Sequence, residues 1–256
     1  RFELLESLQE GEPFSNETRI EYKSVLKRLD AICYVAAHRS VGVFFDAEES
    51  WIQDSIDHLV TVMMRRYNRE KVTVYNTFQL YRHVRLQFLF DSYDLAQKGG
   101  YKLGAKLVRG AYMEKERERA QELGLPSPIQ PNKEATDRDY NRGVKFAIEN
   151  LAHFSICLGT HNEASSKGLV ELIQQYGYDK NDARIFFAQL LGMSDNISFK
   201  LSDEGYNVAK YVPYGPLEQV MPYLFRRAEE NTSVQGQSSR ELMLIKKEIK
   251  RRKLKL

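Results

Sequence analysis

The sequence has few of the features that mark secreted, metal-binding or membrane-spanning proteins. Its 256 residues include two cysteines, Cys33 and Cys157, which are far apart and lack metal-ligand spacing. They predict neither a disulfide framework nor a zinc site, and they favour a reducing compartment over secretion. No apolar run approaches the roughly 20 residues that a membrane-spanning helix needs. The chain begins with Arg1, without a signal-peptide pattern, and we expect it to be a piece of something longer.

Glycine-rich phosphate-binding sequences are also missing. Neither a GxGxxG nor a Walker sequence occurs, so strand ends rather than a glycine loop would have to hold any nucleotide or flavin. Hydrophobic residues make up 42% of the chain and charged residues 29%, which are ordinary values for a soluble globular protein. The length suits one large α/β domain or two small domains, and one domain is the simpler hypothesis.

The formal net charge of +3 conceals an uneven distribution. Residues 246–256 contain seven Lys or Arg and one Glu, a balance of +6, which leaves about −3 for the rest. Such a tail could contact a membrane surface, bind nucleic acid or keep the last helix soluble. Solubility is the default interpretation, because neither a recognition motif nor interleaved aromatic residues accompany the tail.

Apolar periodicity alternates between helical and extended segments along the chain. Strands are predicted at 41–46, 72–78, 103–110, 154–162, 184–193 and 207–213. Helices are predicted at 15–38 with a buried apolar stripe that includes Ile32, and at 51–63, 83–98, 137–151, 165–176, around 223–231 and from about 239. Strand 41–46 is predicted to be buried, and "EKERERAQE" is predicted to be a solvated helix face. This alternation predicts parallel strands joined by right-handed helical crossovers.

The polar residues distinguish a (β/α) barrel from an open doubly wound sheet. Every predicted strand ends in polar or charged side chains, namely Asp46, Asn76, Arg109, Thr160 with His161 and Asn162, Gln189, and Tyr211. In a barrel all carboxyl ends converge on one site, whereas in an open sheet only those beside the switch point do. A barrel is favoured, although it requires eight strands and the chain supplies six.

Three motifs have both a functional and a purely structural interpretation. "KLVRGAYM" places two cations and a glycine at a strand end, which suits an anionic or electron-accepting cofactor or a merely solvated strand end. "GTHNEA" could donate several hydrogen bonds to a polar ligand, although a lone histidine is more often structural. In "YLFRRAEEN", Arg226 and Glu230 are four residues apart, as are Tyr223 and Arg227. The helix could carry exposed ion pairs worth ~0.3–0.5 kcal/mol each, or the two arginines could clamp one carboxylate.

Taken together, seven motifs resemble the proline dehydrogenase family. In order they are "FFDAEES", "VYNTFQLY", "AKLVRGAY", "THNE", "QLLGM", "YVPYG" and "YLFRRAEEN", and the resemblance extends from about Ser15 to Asn231. It implies a (β/α)8 barrel in which residues 1–256 form a single domain with the last six strands and a basic helix at 239–256. It also implies a flavoenzyme that transfers hydride from L-proline C5 to FAD, yields 1-pyrroline-5-carboxylate and passes electrons to a membrane quinone.

The resemblance assigns roles to individual residues. Arg226 and Arg227 match a pair that holds the substrate carboxylate, Tyr211, Tyr223 and Tyr112 match residues on the substrate side, and Asp46 matches an active-site aspartate. The family's FAD contacts fall on Asn76, Lys106, Val108, Arg109, Gly110, Thr160 and His161, with Gln189 and Glu230 as weaker candidates. The catalytic set is then Asp46, Lys106, Tyr211, Arg226 and Arg227, without a metal ion.

Two departures accompany this resemblance. Some members have arginine where this chain has Lys106, which keeps the cation but loses its planar fork. The family's first two strands, the second of which carries a substrate-contacting lysine, are not found in residues 1–40.

Several alternatives stay open. Hydroxyproline dehydrogenase is the nearest, although Tyr211 should crowd a 4-hydroxyl group. A non-catalytic barrel that binds a partner or membrane through its basic tail is another, and no nucleic-acid-binding module is visible. The implied location is cytoplasmic or membrane-peripheral in a bacterium, or the mitochondrial inner membrane or matrix in a eukaryote.

Overall fold

Six parallel strands form the centre of the computed structural model, which describes residues 2–9, 15–233 and 237–252. The strands are β1 (Val43–Phe45), β2 (Val74–Gln79), β3 (Leu103–Val108), β4 (Phe154–Gly159), β5 (Ile185–Leu190) and β6 (Val208–Tyr211). Each predicted segment contains one of them. They lie side by side in chain order, each hydrogen-bonded to the next.

Ten helices occur in the described ranges. They are α1 (Phe2–Gln9), α2 (Asn16–Arg39), α3 (Ser50–Tyr67), α4 (Arg85–Gly99), α5 (Met113–Glu122), α6 (Lys133–Glu149), α7 (Glu163–Gln175), α8 (Asp195–Asp203), α9 (Leu217–Ser233) and α10 (Gln237–Arg252). Side-chain caps help to set several starts: Ser15, Asn132 and Asn162 accept backbone N–H groups at the starts of α2, α6 and α7. None of the described helices combines the length and apolarity required to span a membrane.

The strand order supports a half-barrel. A doubly wound sheet reverses its strand order at a switch point, whereas these six strands follow one another without reversal. Because right-handed crossovers then place successive helices on one side, the sheet has a helix-covered face and an inner face. The α/β class with parallel strands is confirmed. Among the described residues the sheet has six strands rather than eight, and β1 and β6 are its edges.

The hydrophobic core lies between the sheet and its helices. Outward-facing side chains such as Phe78, Leu107, Leu158 and Phe187 are fully buried in it. Exposure alternates along β5, where buried Ile185 and Phe187 flank a partly exposed Phe186, because adjacent side chains on a strand point to opposite faces. The inner face is therefore the partly open side of the sheet.

The sequence predictions of burial for β1 and α2 were wrong in part. Strand β1 is not fully buried, since Phe44 is 40% exposed, because β1 is an edge strand. On α2, Cys33 and Ala36 are buried but Ile32 is 55% exposed.

The "EKERERAQE" segment in α5 is not simply a solvated face. Glu116 is buried and accepts a hydrogen bond of 2.6 Å from the backbone N–H of Ser50. The Arg119 guanidinium lies 4.4 Å from the centroid of the Trp51 ring. The prediction from charge alone was therefore wrong for this helix. One of its acids, Glu116, accepts a backbone N–H group at the first turn of α3, which has no partner within that helix.

Candidate active site

A cavity of about 580 Å³ opens at the carboxyl ends of strands β3 to β6, within the size range of small-molecule pockets. Its lining residues are Glu48, Lys106, Val108, Arg109, Gly110, Ala111, Lys133, Gly159, Thr160, His161, Asn162, Ala188, Gln189, Leu190, Tyr211 and Arg227. The predicted convergence of strand ends therefore occurs for β3, β4, β5 and β6. It brings together eight predicted cofactor or substrate residues, which are Lys106, Val108, Arg109, Gly110, Thr160, His161, Gln189 and Tyr211, along with Arg227.

The charged side chains give this cavity a positive character. Lys106, Arg109, Lys133 and Arg227 line it, and Glu48 is the one acid among its described lining residues. Burial raises the pKa of Glu48 to about 7, and the nearby Asp46 carboxylate adds to that effect. Near neutral pH the Glu48 carboxyl is thus partly protonated, which increases the excess of positive charge.

Asp46 binds Lys106 at the edge of the cavity. The Lys106 Nζ lies 2.7 Å and 2.9 Å from the two Asp46 carboxylate oxygens. Thr77 donates a hydrogen bond of 2.7 Å to Asp46, and Thr77 is paired in register with Lys106 across β2 and β3. These contacts fix the ammonium group on the inner face of the sheet.

Arg109 is held by side chains from three directions. Its Nε donates to Asp137 at 2.6 Å, its Nη1 to Thr160 Oγ1 at 2.9 Å and its Nη2 to Ser165 Oγ at 2.9 Å. The guanidinium also lies 4.2 Å from the centroid of the Tyr140 ring. Burial would raise the pKa of Asp137, but hydrogen bonds from Lys133 and Arg109 outweigh it and lower that pKa. Arg109 and Thr160 are therefore firmly placed.

Two glycines keep backbone accessible in the cavity wall. Gly110 has a φ of 127°, and a Cβ there would lie 2.3 Å from the Tyr81 ring. A Cβ on Gly159 would lie 2.9 Å from the Cγ1 of Val108. Side chains at both positions would clash with the wall, so the wall requires glycine.

His161 is a neutral hydrogen-bonding group in this setting. Its Nδ1 lies 3.0 Å from the hydroxyl of Ser194. Burial lowers the pKa of His161 to about 4, with further lowering by the charges of Lys210 and Arg227. The imidazole consequently carries one N–H at physiological pH.

Tyr211 and Arg227 line the cavity beside β6, and the ring of Tyr223 lies next to both of them. The Tyr211 and Tyr223 ring centroids are 5.3 Å apart at an interplanar angle of 53°. The Arg227 guanidinium carbon lies 4.9 Å from the Tyr223 centroid. Arg226 and Glu230 belong to α9, but their side chains lie outside the described part of the structure. The second arm of the predicted carboxylate clamp is therefore not observed.

Asn76 does not reach the cavity, contrary to its assignment as a cofactor contact. Its amide donates a hydrogen bond of 2.6 Å to Asp57 of α3, on the helix-covered face of the sheet. The inner face instead receives Thr77, because neighbouring strand residues point to opposite sides.

Two other assigned residues have structural contacts. Tyr112 immediately precedes α5, where its ring lies 5.3 Å from Lys115 Nζ, and it is not among the described lining residues. Gln189 lines the cavity, but its amide donates to the Thr160 carbonyl at 3.2 Å and accepts from Ser198 at 2.9 Å.

Sequence reasoning missed three residues near the cavity. Glu48 lies two residues after Asp46 within a quoted motif, so a second acid there was a usable signal. Gln79, the last residue of β2, is fully buried, and its Oε1 has no hydrogen-bond partner among the described residues. Gln79 lies two residues after Thr77 on β2, so both side chains point to the same face of the sheet, and this spacing could have been used to predict it. Lys133 lies at the start of α6 and has no local signal.

Comparison with known proteins gives a consistent result. The family model described as proline dehydrogenase matches residues 3–240. "Proline dehydrogenase 1, mitochondrial" of Homo sapiens is 39% identical over 93% of this chain and 40% of its own length. The Dictyostelium discoideum protein of the same name is 40% identical over 95% of this chain and 44% of its own length. "Hydroxyproline dehydrogenase" of Xenopus laevis is 36% identical over 90% of this chain and 50% of its own length. The chain thus spans about half or less of these relatives.

Solved structures share the fold. A crystal structure of proline utilization A from Bdellovibrio bacteriovorus, inactivated by N-propargylglycine, is similar over 83% of this chain and 22% of that protein, with a TM-score of 0.76 and 26% identity. With the family match over residues 3–240, the chain belongs to the proline dehydrogenase family.

Proposed function

We propose that the protein containing this chain oxidises L-proline to 1-pyrroline-5-carboxylate, with FAD as hydride acceptor and a quinone as the final electron acceptor. The observation that carries the proposal is the cationic cavity at the strand ends, beside the Tyr211 and Tyr223 rings. Family membership and the names of the relatives support this reaction.

The residues of the cavity fit FAD. Four cations line the cavity with Glu48, whose pKa is about 7. Asp46 binds Lys106, and Asp137 binds Arg109 and Lys133, but the cations outnumber these acids. This balance suits a ligand with a pyrophosphate and an electron-rich reduced ring. Gly110 and Gly159 let the backbone of the wall pack against Tyr81 and Val108, where a Cβ would clash. Lys106, Val108, Arg109, Gly110, Thr160, His161 and Gln189 are the described residues proposed to hold it, with Glu230 outside the described side chains. When bound, FAD supplies the group that accepts the hydride.

The polypeptide's contribution is mainly to orient the substrate. Arg226 and Arg227 are proposed to bind the carboxylate of proline, and Tyr211 and Tyr223 to confine its ring. Arg227 already lies against Tyr223, so cation and ring are held near each other. Asp46 positions the Lys106 ammonium through two short contacts. A cation held there would stabilise negative charge on a bound electron acceptor.

An anaerobic absorbance spectrum of the whole protein tests this function. Purified protein should be yellow, and added L-proline should bleach the flavin band without oxygen. D-proline is a suitable control, because a clamp that fixes one carboxylate orientation selects one enantiomer. Protein that binds no flavin, or whose flavin is unaffected by L-proline, would refute the proposal and favour a non-catalytic barrel.

Hydroxyproline dehydrogenase activity is the second candidate. The Xenopus laevis relative of that name supports it, with 36% identity over 90% of this chain. Tyr211 argues against it, because its ring lies at the end of β6 beside the proposed substrate ring and leaves less room for a 4-hydroxyl group. Higher kcat/KM for trans-4-hydroxyproline than for proline would reverse this preference.

We also propose that the complete protein closes the half-barrel with two further strands between β6 and β1. The open edges of both strands and the exposed Phe44 support this arrangement. A substrate-contacting lysine is expected on the second added strand. Lysine-to-methionine substitutions in the remaining part of the protein should identify it through a raised KM for proline. If none raises KM, that lysine is not part of the site.

The proposed location follows from the acceptor and the relatives. Several eukaryotic relatives are named mitochondrial, so the mitochondrial inner membrane or matrix is proposed for a eukaryotic source, and a cytoplasmic or membrane-peripheral location for a bacterial one. Helix α10 is the proposed membrane contact, because Lys246, Lys247, Lys250, Arg251 and Arg252 are exposed on it.

A further inference from the structure

Ser194 has an unusual conformation at the start of α8. Its φ of 51° and ψ of 42° lie in the left-handed region, where residues with a Cβ are disfavoured. The other described non-glycine residue with positive φ, Ser40, ends α2, where left-handed residues are common. A residue that begins a helix normally has extended dihedral angles. Helix geometry therefore does not explain the conformation of Ser194.

The hydroxyl of Ser194 is not used as a helix cap. A serine before a helix usually accepts a backbone N–H of the first turn, and Ser194 makes no such bond with α8. Its side chain is instead directed to His161, with 3.0 Å between its Oγ and Nδ1 of the imidazole. Ser194 is 3% exposed and is not among the described cavity-lining residues, whereas its partner His161 lines the cavity.

A hydrogen-bonded chain fixes this arrangement. The Ser194 carbonyl accepts backbone N–H groups from Ile197 and Ser198. The Ser198 hydroxyl donates to Gln189 at 2.9 Å, and Gln189 donates to the Thr160 carbonyl at 3.2 Å. Thr160 directly precedes His161. The start of α8 is therefore hydrogen-bonded to the end of β4 both through the imidazole and through the backbone beside it.

We propose that Ser194 is a positioning residue that holds the His161 ring in one orientation for cofactor binding. Nδ1 is engaged by Ser194, so Nε2 is the ring nitrogen left for a ligand in the cavity. The neighbouring cations, Lys210 from β6 and Arg227 from α9, oppose a protonated ring, and Asp195 of α8 is bound to Lys210 at 2.7 Å. Because a hydroxyl can donate or accept, Ser194 can bind Nδ1 in either neutral tautomer, and the hydrogen bond fixes the direction of the ring. This inference rests on the proposed FAD site.

The test measures the hydrogen bond at Nδ1, FAD affinity and stability separately in the full-length protein. Nitrogen-15 NMR of histidine-labelled, FAD-free protein reports the hydrogen bond at Nδ1, with the His161 signal identified by its loss in His161→Gln. The variants are Ser194→Ala, which keeps the strained backbone, and Ser194→Gly, which removes the strain as well as the hydroxyl. Ser155→Ala is the matched control, because Ser155 is a buried serine at the opposite end of β4 that bonds Tyr75 and Arg184.

We expect the Nδ1 signal of His161 to be the same in the wild type and in Ser155→Ala, and to shift in both Ser194 variants. FAD Kd should rise roughly fivefold in both Ser194 variants, the effect of one lost hydrogen bond. Ser194→Gly should melt above Ser194→Ala, so the loss of FAD affinity will not follow stability. An unchanged Nδ1 signal or an unchanged FAD Kd in Ser194→Gly overturns the inference. A wild type that binds no FAD refutes the proposed function instead, while the Nδ1 signal still decides whether Ser194 holds the ring.

Discussion

Arg227 and Lys106 illustrate two ways in which a single side chain is placed at this site. Lys106 is bound to a carboxylate from another strand, with contacts of 2.7 Å and 2.9 Å. Arg227 lies in a helix and packs over an aromatic ring at 4.9 Å. The lysine is therefore held by a carboxylate, whereas the arginine is held against an aromatic ring in the cavity wall.

Replacing either arginine of the proposed clamp should weaken proline binding. Arg226→Ala or Arg227→Ala is expected to raise the KM for proline about 10- to 100-fold, since a hydrogen bond to a charged group contributes about 1.5–3 kcal/mol. FAD content, measured from the absorbance ratio, should stay near that of the wild type. Arg66→Ala is the control, because Arg66 forms an exposed ion pair with Asp30 elsewhere. A normal KM in either clamp variant would favour a simple ion-pair helix.

Glu48 should make stability depend on pH. Its pKa is raised to about 7, so the folded state binds a proton that the unfolded state has released. The associated stability is complete below the ordinary glutamate pKa of about 4.5 and is lost as pH rises through 7. We expect the Tm of the FAD-free protein to fall between pH 6.5 and 8, and Glu48→Gln to reduce that fall.

Between pH 6.5 and 8 the effect of Glu48 on stability can be measured separately from that of His161. The pKa of His161 is lowered to about 4, so its contribution to stability changes between about 4 and 6.5 and is constant above that. Between pH 4.5 and 6.5 the two contributions have opposite signs, so thermal unfolding at half-unit steps is compared in the wild type and in Glu48→Gln. If Tm falls equally steeply with pH above 6.5 in Glu48→Gln and in the wild type, the raised pKa of Glu48 would be contradicted.

At the scale of elements, a buried ion pair connects α3, α4 and β2. Arg85 of α4 donates to Asp57 of α3 at 2.5 Å and 3.2 Å, and both side chains are at most 5% exposed. Asn76 of β2 donates to the same carboxylate. The Arg85 guanidinium also lies 4.4 Å from the Phe88 ring centroid. The Asp57 carboxylate of α3 thus connects this helix to both α4 and β2.

Removing that carboxylate should be costly. Asp57→Ala leaves Arg85 buried without its partner, and we expect a loss of about 3–5 kcal/mol in the free energy of unfolding. Asp30→Ala, which breaks the exposed pair with Arg66, should cost no more than about 1 kcal/mol. Urea denaturation of the FAD-free protein compares the two. Equal losses would indicate that burial does not determine the importance of this pair.

On the scale of the whole molecule, the charge is concentrated at one end of the chain. Glu248 on α10 pairs with Arg251 and Arg252 at 2.7 Å, which leaves Lys246, Lys247 and Lys250 as further exposed cations. Cations near an anionic bilayer contribute about 1 kcal/mol each, and salt weakens the attraction.

Deleting residues 246–256 should therefore reduce binding to anionic vesicles. Cosedimentation with vesicles containing phosphatidylserine is expected to fall several-fold and to lose its salt dependence. FAD content and activity with a soluble dye acceptor should be unchanged, because this segment lies outside the described cavity lining. Unchanged cosedimentation and quinone-dependent activity would identify the segment as a solubilising tail.

Much of the fold was predictable because periodicity is local. All six strands, and the convergence of the polar ends of β3 to β6, could be read from the sequence, since buried segments and strand ends leave signals within a few residues. Asn76 was assigned to the wrong face of the sheet, because moving one residue along a strand turns the side chain to the opposite face. Lys133 could not be predicted, because only the tertiary arrangement brings the start of α6 to the cavity.

The anchoring of Arg109 has a consequence for the order in which ligands bind. Asp137, Thr160 and Ser165 restrain its guanidinium from three directions, so this part of the cavity is preorganised. A cofactor docking there incurs little loss of side-chain entropy, because the side chain is already immobilised by the protein. The two arginines of the proposed clamp belong to a different element, α9, from which Arg227 lines the cavity. The expected sequence is thus cofactor first and proline second.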